Sequence, residues 1–384
     1  MEYIKFTEED VQARIDLCQK KMNEQGFEGI VFSAESNLNY YSNFHTHAPW
    51  TTFTRPMFLF VPKEGKPVLY LHIFQTPDAR AISKACDIRG FESLLGPNAS
   101  QVAEIMHELN MGSGKIGFEK GYEQLMGFQI NLYEGLKEEL SSASFEDASD
   151  LIWSQRLIKS PKEIECIRRA CDATSYAHDK IFKNIKAGMT EHEVSRLVKQ
   201  YMLEGGADQP GFVLITAGEG NYDRISKTAT DRELQDGDLI VLDLGSCYNG
   251  YWSDFCRLAV VGEISEERRE IQRKVHEVTI RASKVMKPGV AVADVARACA
   301  EEMVKVGFEA NFDCGRMGHG MGLMSTEPPS VTIYDETILE EGMIINLEPG
   351  IVNELGAFNL EENFVITKDG CEMLSSASRE FYSI

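Results

Sequence analysis

Two aspartates bracket the stretch LDLGSCYNGYWSD, Leu242 to Asp254. Asn-Gly between alternating runs is the signature of a type I′ hairpin, so the stretch reads as two strands about Asn249 and Gly250. With those two at the turn, Tyr248 faces Tyr251, Ser246 faces Ser253, Gly245 faces Asp254 and Asp243 faces Cys256. Paired residues share a face and side chains alternate along a strand. Asp243 and Asp254 therefore project from one face as diagonal neighbours, with Cα atoms roughly 7–8 Å apart. Desolvated together they repel, and one takes up a proton. Each unpaired buried charge costs several kcal/mol. A cation held between them offsets that cost; a wet sheet face is the alternative.

Downstream lie residues of matching chemistry. RMGHGMGLMSTEPPS places His319 between Gly318 and Gly320, where the lack of a Cβ lets backbone or ligand approach. MIINLEPGI is an apolar strand that closes on Glu348. NLEENFVIT is a strand carrying Glu361 and Glu362; alternation sends one to each face and leaves open which of them meets the aspartates. Oxygen-rich ligands with one imidazole suit hard-to-borderline divalent ions. A pair of such ions ~3.5–4 Å apart is a recognised hydrolytic arrangement.

Elements able to bring these residues together require a large fold. The chain has 384 residues, which predicts two domains. Residues 1–150 alternate helical and strand patterns and read as an α/β domain. Thr7 caps a helix that Gly26 stops; strands fit GIVFSA, MFLFVP, PVLYLH and KIGFE, with a helix over residues 101–109. The polar segment SSASFEDAS (Ser141–Ser149) reads as a connector. Residues 151–384 read as α+β: a long amphipathic helix from Ser160, a capping box at Thr190 and Glu193, the hairpin, helices over 266–286 and 292–306, then glycine-rich turns and strands.

A net charge of −21 argues against nucleic acid or an anionic membrane surface as partner. No run approaches the ~18 apolar residues of a membrane span, and MEYIKFTEED lacks the basic and apolar regions of a secretory signal. Nine cysteines without CxxC spacing read as reduced thiols of a cytoplasmic protein, a Cys247–Cys256 disulfide being the minor alternative.

The order D…D…H…E…E, carried by Asp243, Asp254, His319, Glu348 and Glu361, resembles the pita-bread metallohydrolases. That family includes methionine aminopeptidase, aminopeptidase P, Xaa-Pro dipeptidase (prolidase) and the metal-free creatinase. DRELQDGDLIVLDLGSCYNGYWSDFCR and RLIKSPKEIECIRRA resemble the prolidase and creatinase branch, and the N-terminal domain fits the extra domain of that branch. The resemblance implies a pita-bread catalytic domain over 151–384 and a homodimer. It implies two divalent metal ions, manganese foremost, with cobalt, zinc or iron as alternatives. Asp243 would bind one ion, Asp254 and Glu361 would bridge both, and His319 and Glu348 would bind the second. A hydroxide between the metals would attack a substrate amide carbonyl, with Glu348 as proton shuttle. The resemblance selects Glu361 over Glu362, because the bridging glutamate of the pattern is followed by an acidic residue or an amide.

Three positions depart from the peptidase pattern. Ser226 and Thr326 stand where peptidases carry histidines that hold substrate, and Asn359 stands where they usually carry an arginine. Tyr222 and Arg224 are candidate local replacements; Trp50 and Arg55, in HTHAPWTTFTRP, are candidates to reach substrate from the small domain of a partner subunit. Three functions follow: an Xaa-Pro dipeptidase or aminopeptidase P acting on small peptides, a creatinase-like hydrolase of a C–N bond in a non-peptide metabolite, or an inactive pita-bread binding module.

Overall fold

The computed structural model of the protein describes residues 2–45, 55–224, 226, 228–310 and 315–384. The chain forms two compact units, Met1–Arg156 and Leu157–Ile384. In the first, the helix Glu8–Gln25 starts where Thr7 and Asp10 cap each other's backbone N–H, and ends at Gly26 in the left-handed region. A six-stranded mixed sheet follows, in the order Asp87–Phe91, Val68–His72, Phe58–Pro62, Gly29–Phe32, Gly114–Phe118, Ala143–Asp147. Val31, Phe58, Phe60, Ile116 and Phe118 of this sheet pack against Val102, Met106 and Leu136 from its helices.

The expected connector at Ser141–Ser149 is corrected here. Ala143–Asp147 pairs in parallel with Gly114–Phe118 as the edge strand, and Ser149–Arg156 is a helix. An edge strand has one ladder neighbour, and these residues are exposed or half-buried, so polar side chains cost little there.

The second unit opens with the helix Pro161–Asn184, capped by Ser160 and Glu163, and then Glu191–Glu204, capped by Thr190 and Glu193. One sheet orders Tyr382–Ser383, Phe255–Val260, Leu239–Tyr248 and Gln209–Ala217, with Tyr251–Trp252 paired to Leu239–Tyr248. Another orders Glu327–Ser330, Gly318–Gly320, Ile344–Leu347, Glu362–Ile366 and Cys371–Met373. The short hairpin Gly350–Asn353/Gly356–Asn359 links the two glutamate-bearing strands. The strand Leu239–Tyr248 is covered on both sides. Ile240, Leu242 and Leu244 pack with Ala173, Ala177 and Val198 of the helices. Leu239 packs with Leu258, Phe358 and Leu360. This is why the segment reads as an almost unbroken apolar run, and why an aspartate within it stands out.

Among the described residues no helix is long and apolar enough to cross a membrane. The described cysteines, Cys247 and Cys256 included, are free thiols. The hairpin register pairs Cys247 with Trp252 and Cys256 with Asp243, so the two sulfurs sit on different rungs.

Candidate metal centre

The hairpin folds in the register its turn residues demand. Asn249 and Gly250 both have positive φ, Tyr248 pairs with Tyr251, and Asp243 pairs with Cys256. Ser253 and Asp254 lie between the strands Tyr251–Trp252 and Phe255–Val260, and the Ser253 N–H still donates to the Ser246 carbonyl at 3.0 Å. There the Asp254 N–H donates to Asn363 Oδ1 at 3.0 Å, and the Asp254 carbonyl accepts from the side-chain amides of Asn346 (3.1 Å) and Asn363. His319 pairs with Asn346, and Asn346 with Asn363, giving a row of three polar side chains across three antiparallel strands. A Cβ on Gly318 would lie 1.9 Å from the Asn346 carbonyl, so glycine is required for the His319 strand to come this close. Glu348 follows the strand Ile344–Leu347, and Glu361 precedes Glu362–Ile366.

The two adjacent glutamates go to different places, with Glu361 where the resemblance puts it. Glu361 joins the aspartates and accepts from Asn346 Nδ2 at 2.6 Å. Glu362 turns away, fully buried against Arg257.

Asp254, His319 and Glu361 bring ligand atoms within 4.8 Å of one another. His319 Nε2 lies 3.5 Å from Asp254 Oδ2 and 4.0 Å from Glu348 Oε1. Its Nδ1 lies 2.8 Å from the Gly320 carbonyl. A carbonyl only accepts, so Nδ1 carries the proton and the Nε2 lone pair is turned toward carboxylate oxygens. Burial pushes the imidazole pKa down, so it stays neutral. Burial also pushes the Asp243 carboxyl up, to about 6, and raises Asp254 and Glu361 well above the usual carboxylate range; for Glu361 the neighbouring Asp254 and Asp243 charges add to it. Glu348 is raised by burial as well. Among the described residues, buried Asp243 Oδ1 and Glu361 Oε2 have no hydrogen-bond donor. Two orphaned carboxylate oxygens and an imidazole lone pair aimed at further oxygens form a set of acceptors with few donors. Divalent cations fit that set, since they satisfy several oxygens and one nitrogen at once.

The candidate substrate residues divide. Tyr222 is buried in the core beside Leu239, and its hydroxyl accepts from the Leu239 N–H at 3.2 Å. Arg224 and Ser226 are exposed in the turn beyond. Thr326 is half-buried at the start of the strand Glu327–Ser330, which pairs with the His319 strand. Arg55 is half-buried in the first unit, and Trp50 lies outside the described residues. Residues not anticipated from sequence complete the centre. Arg316 places Nε 3.6 Å from Glu348 Oε1 and donates from Nη1 to Ser330 Oγ at 3.4 Å. Asn346 and Asn363, fully buried, hold Asp254 and Glu361. Their one trace in the sequence is an amide in the middle of each of two apolar strands.

Residues 165–368 match the model of metallopeptidase family M24, and residues 14–158 match that of the creatinase/prolidase N-terminal domain. The chain belongs to metallopeptidase family M24. It is 33% identical over 326 residues to an Xaa-Pro dipeptidase of Pyrococcus horikoshii, covering 80% of this chain and 93% of that protein. It is 27% identical over 369 residues to an Xaa-Pro dipeptidase of Lactobacillus delbrueckii, covering 95% and 97%. The solved structure of the prolidase from Pyrococcus furiosus superposes with a TM-score of 0.80 at 29% identity, over 94% of this chain and 99% of that one. Both parts of the expected architecture, a creatinase-type N-terminal domain and a pita-bread catalytic domain, are therefore present. Membership of M24 makes this a metal-dependent, peptidase-like hydrolase.

Proposed function

We propose that this M24 protein hydrolyses the amide bond of Xaa-Pro peptides, dipeptides foremost, with two divalent metal ions, manganese first, held by Asp243, Asp254, His319, Glu348 and Glu361. The observation that carries the reading is the buried ring of acceptors whose only nitrogen, His319 Nε2, faces two carboxylates. When bound, such ions lower the pKa of water and polarise a carbonyl oxygen. The residues of the chain do the rest. Asn346 and Asn363 hold Asp254 and Glu361 in place. The Gly320 carbonyl fixes the tautomer of His319. The Glu348 side chain is 26% exposed against 11% for Asp254, which suits it to move a proton at Oε1. Arg316, alongside it, is the cation that can face an anionic group of the substrate.

The names of the relatives support the peptidase reading. Retention of all five candidate ligands speaks against both the metal-free creatinase type and an inactive binding module. Thr326 and Ser226 in place of histidines are the departures that speak for a non-peptide or unusual substrate. Cytoplasmic location and a homodimer complete the proposal. The test is turnover by chelator-treated protein reloaded with manganese, offered Xaa-Pro dipeptides, longer Xaa-Pro peptides and matched Xaa-Ala controls. Manganese-dependent release of proline from dipeptides is expected. Release from none of them, with metal bound, would discard the proline-peptide assignment.

A further inference from the structure

Behind Glu361 lies a second charged cluster that the reading above leaves unused. Glu362 is fully buried, and both its carboxylate oxygens lie 3.0 Å from Arg257 Nη2. Arg379 Nε donates to Oε1 at 2.6 Å, and Ser375 Oγ donates to Oε2. Arg257, 1% exposed, spends its remaining donors on peptide oxygens: Nη1 on Cys256 (2.8 Å) and Glu361 (3.1 Å), Nε on Ser378 (3.0 Å), Nη2 also on Ala377 (3.2 Å). The segment it grips is itself docked, since the N–H groups of Ser376 and Ala377 donate to Ser175 Oγ.

A buried ion pair is a poor source of stability, because an apolar replacement of similar shape often serves as well. Its placement is the informative feature. Arg257 follows Asp254 by three residues, Glu362 follows Glu361 by one, and Arg257 also bonds the Glu361 peptide oxygen. The cluster therefore bolts together the two backbone segments that present Asp254 and Glu361. Groups that orient ligands without touching the metal commonly govern its affinity.

We propose that Glu362, Arg257 and Arg379 form a positioning network that fixes the separation of Asp254 and Glu361 and so sets affinity for divalent metal, making the C-terminal segment Ser375–Arg379 part of the metal centre. This rests on the metal-binding reading above. The experiment measures manganese dissociation constants by calorimetry on the full chain, alongside thermal melts, for wild type, Glu362→Gln, Arg379→Met and the core control Val198→Ala. Manganese binding ~10–100-fold weaker is expected for Glu362→Gln, with a smaller loss for Arg379→Met. Val198→Ala should melt earlier yet bind as wild type does. Arg379 is 27% exposed and its loss leaves the Arg257–Glu362 pair intact, so this variant decides the matter if Glu362→Gln does not fold. Wild-type affinity in the network variants, or a loss in Val198→Ala as large as theirs, overturns the positioning role alone. A wild type that binds no manganese overturns the metal reading and this role with it.

Discussion

Lys159 and Glu327 form an ion pair of 3.2 Å, with side chains only 2% and 1% exposed. Glu327 also accepts from the Met324 N–H at 3.2 Å, and it pairs across the ladder with Gly320, next to His319. The pair thus anchors the loop that returns from the histidine strand. Replacing Lys159 by Met keeps most of the aliphatic stem and deletes the buried cation beside Glu327. Breaking one partner of a buried pair costs about 3–5 kcal/mol. At ~2–4 °C per kcal/mol for a unit of this size, Lys159→Met should lower Tm by about 6–20 °C. The double variant Lys159→Met, Glu327→Gln keeps the acceptor for Met324 while removing the stranded charge, and it should recover at least half of that loss. Scanning calorimetry of wild type, both single variants and the double variant closes the cycle. Additive losses in the double variant, meaning no coupling, would refute the claim that the charge pair itself stabilises the loop. So would a Lys159→Met protein melting within ~2 °C of wild type.

Asp254→Ala removes a carboxylate central to the acceptor ring, so chelator-treated variant protein should fail to retain stoichiometric manganese under conditions that load the wild type; elemental analysis after dialysis reads this. Arg316→Met removes the cation 3.6 Å from Glu348, and kcat/KM on an Xaa-Pro dipeptide should fall ~10-fold or more, with partial rescue by Arg316→Lys. An unchanged kcat/KM would leave Arg316 without a role in the reaction. His178 is buried against the Phe255 carbonyl, and burial, with Arg257 nearby, pushes its pKa down to about 3. Its folded pKa lies below the unfolded value near 6.5, so from pH 6.5 downward the unfolded chain binds the extra proton and stability falls as pH falls. At pH 5 this one group costs ~2 kcal/mol relative to pH 8. His178→Gln should show a shallower loss of denaturation free energy over that range by about the same amount.

Much of the local structure was legible. Thr7 and Thr190 each start the helix that a Thr cap predicts, because capping needs only residues three apart. Asn249-Gly250 set the hairpin register, because a type I′ turn tolerates few other pairs. The strand Ala143–Asp147 was not legible, since an edge strand in water carries the composition of a loop. The burial of Tyr222 was not legible for a related reason: a tyrosine in a polar turn reads as exposed until the core it enters is known.

The sequence by itself determined which side chains could ligate a cation, and that Asp243 and Asp254 share one face. Those facts depend on residue type and on a two-residue repeat. Strand alternation left Glu361 and Glu362 open and the family resemblance pointed to Glu361; only the tertiary structure shows what Glu362 does instead, that Arg316 stands beside Glu348, and that Asn346 and Asn363 hold the centre together. Those outcomes depend on contacts such as Arg257 with the Glu361 carbonyl, 104 positions apart, and no local periodicity carries information over that distance.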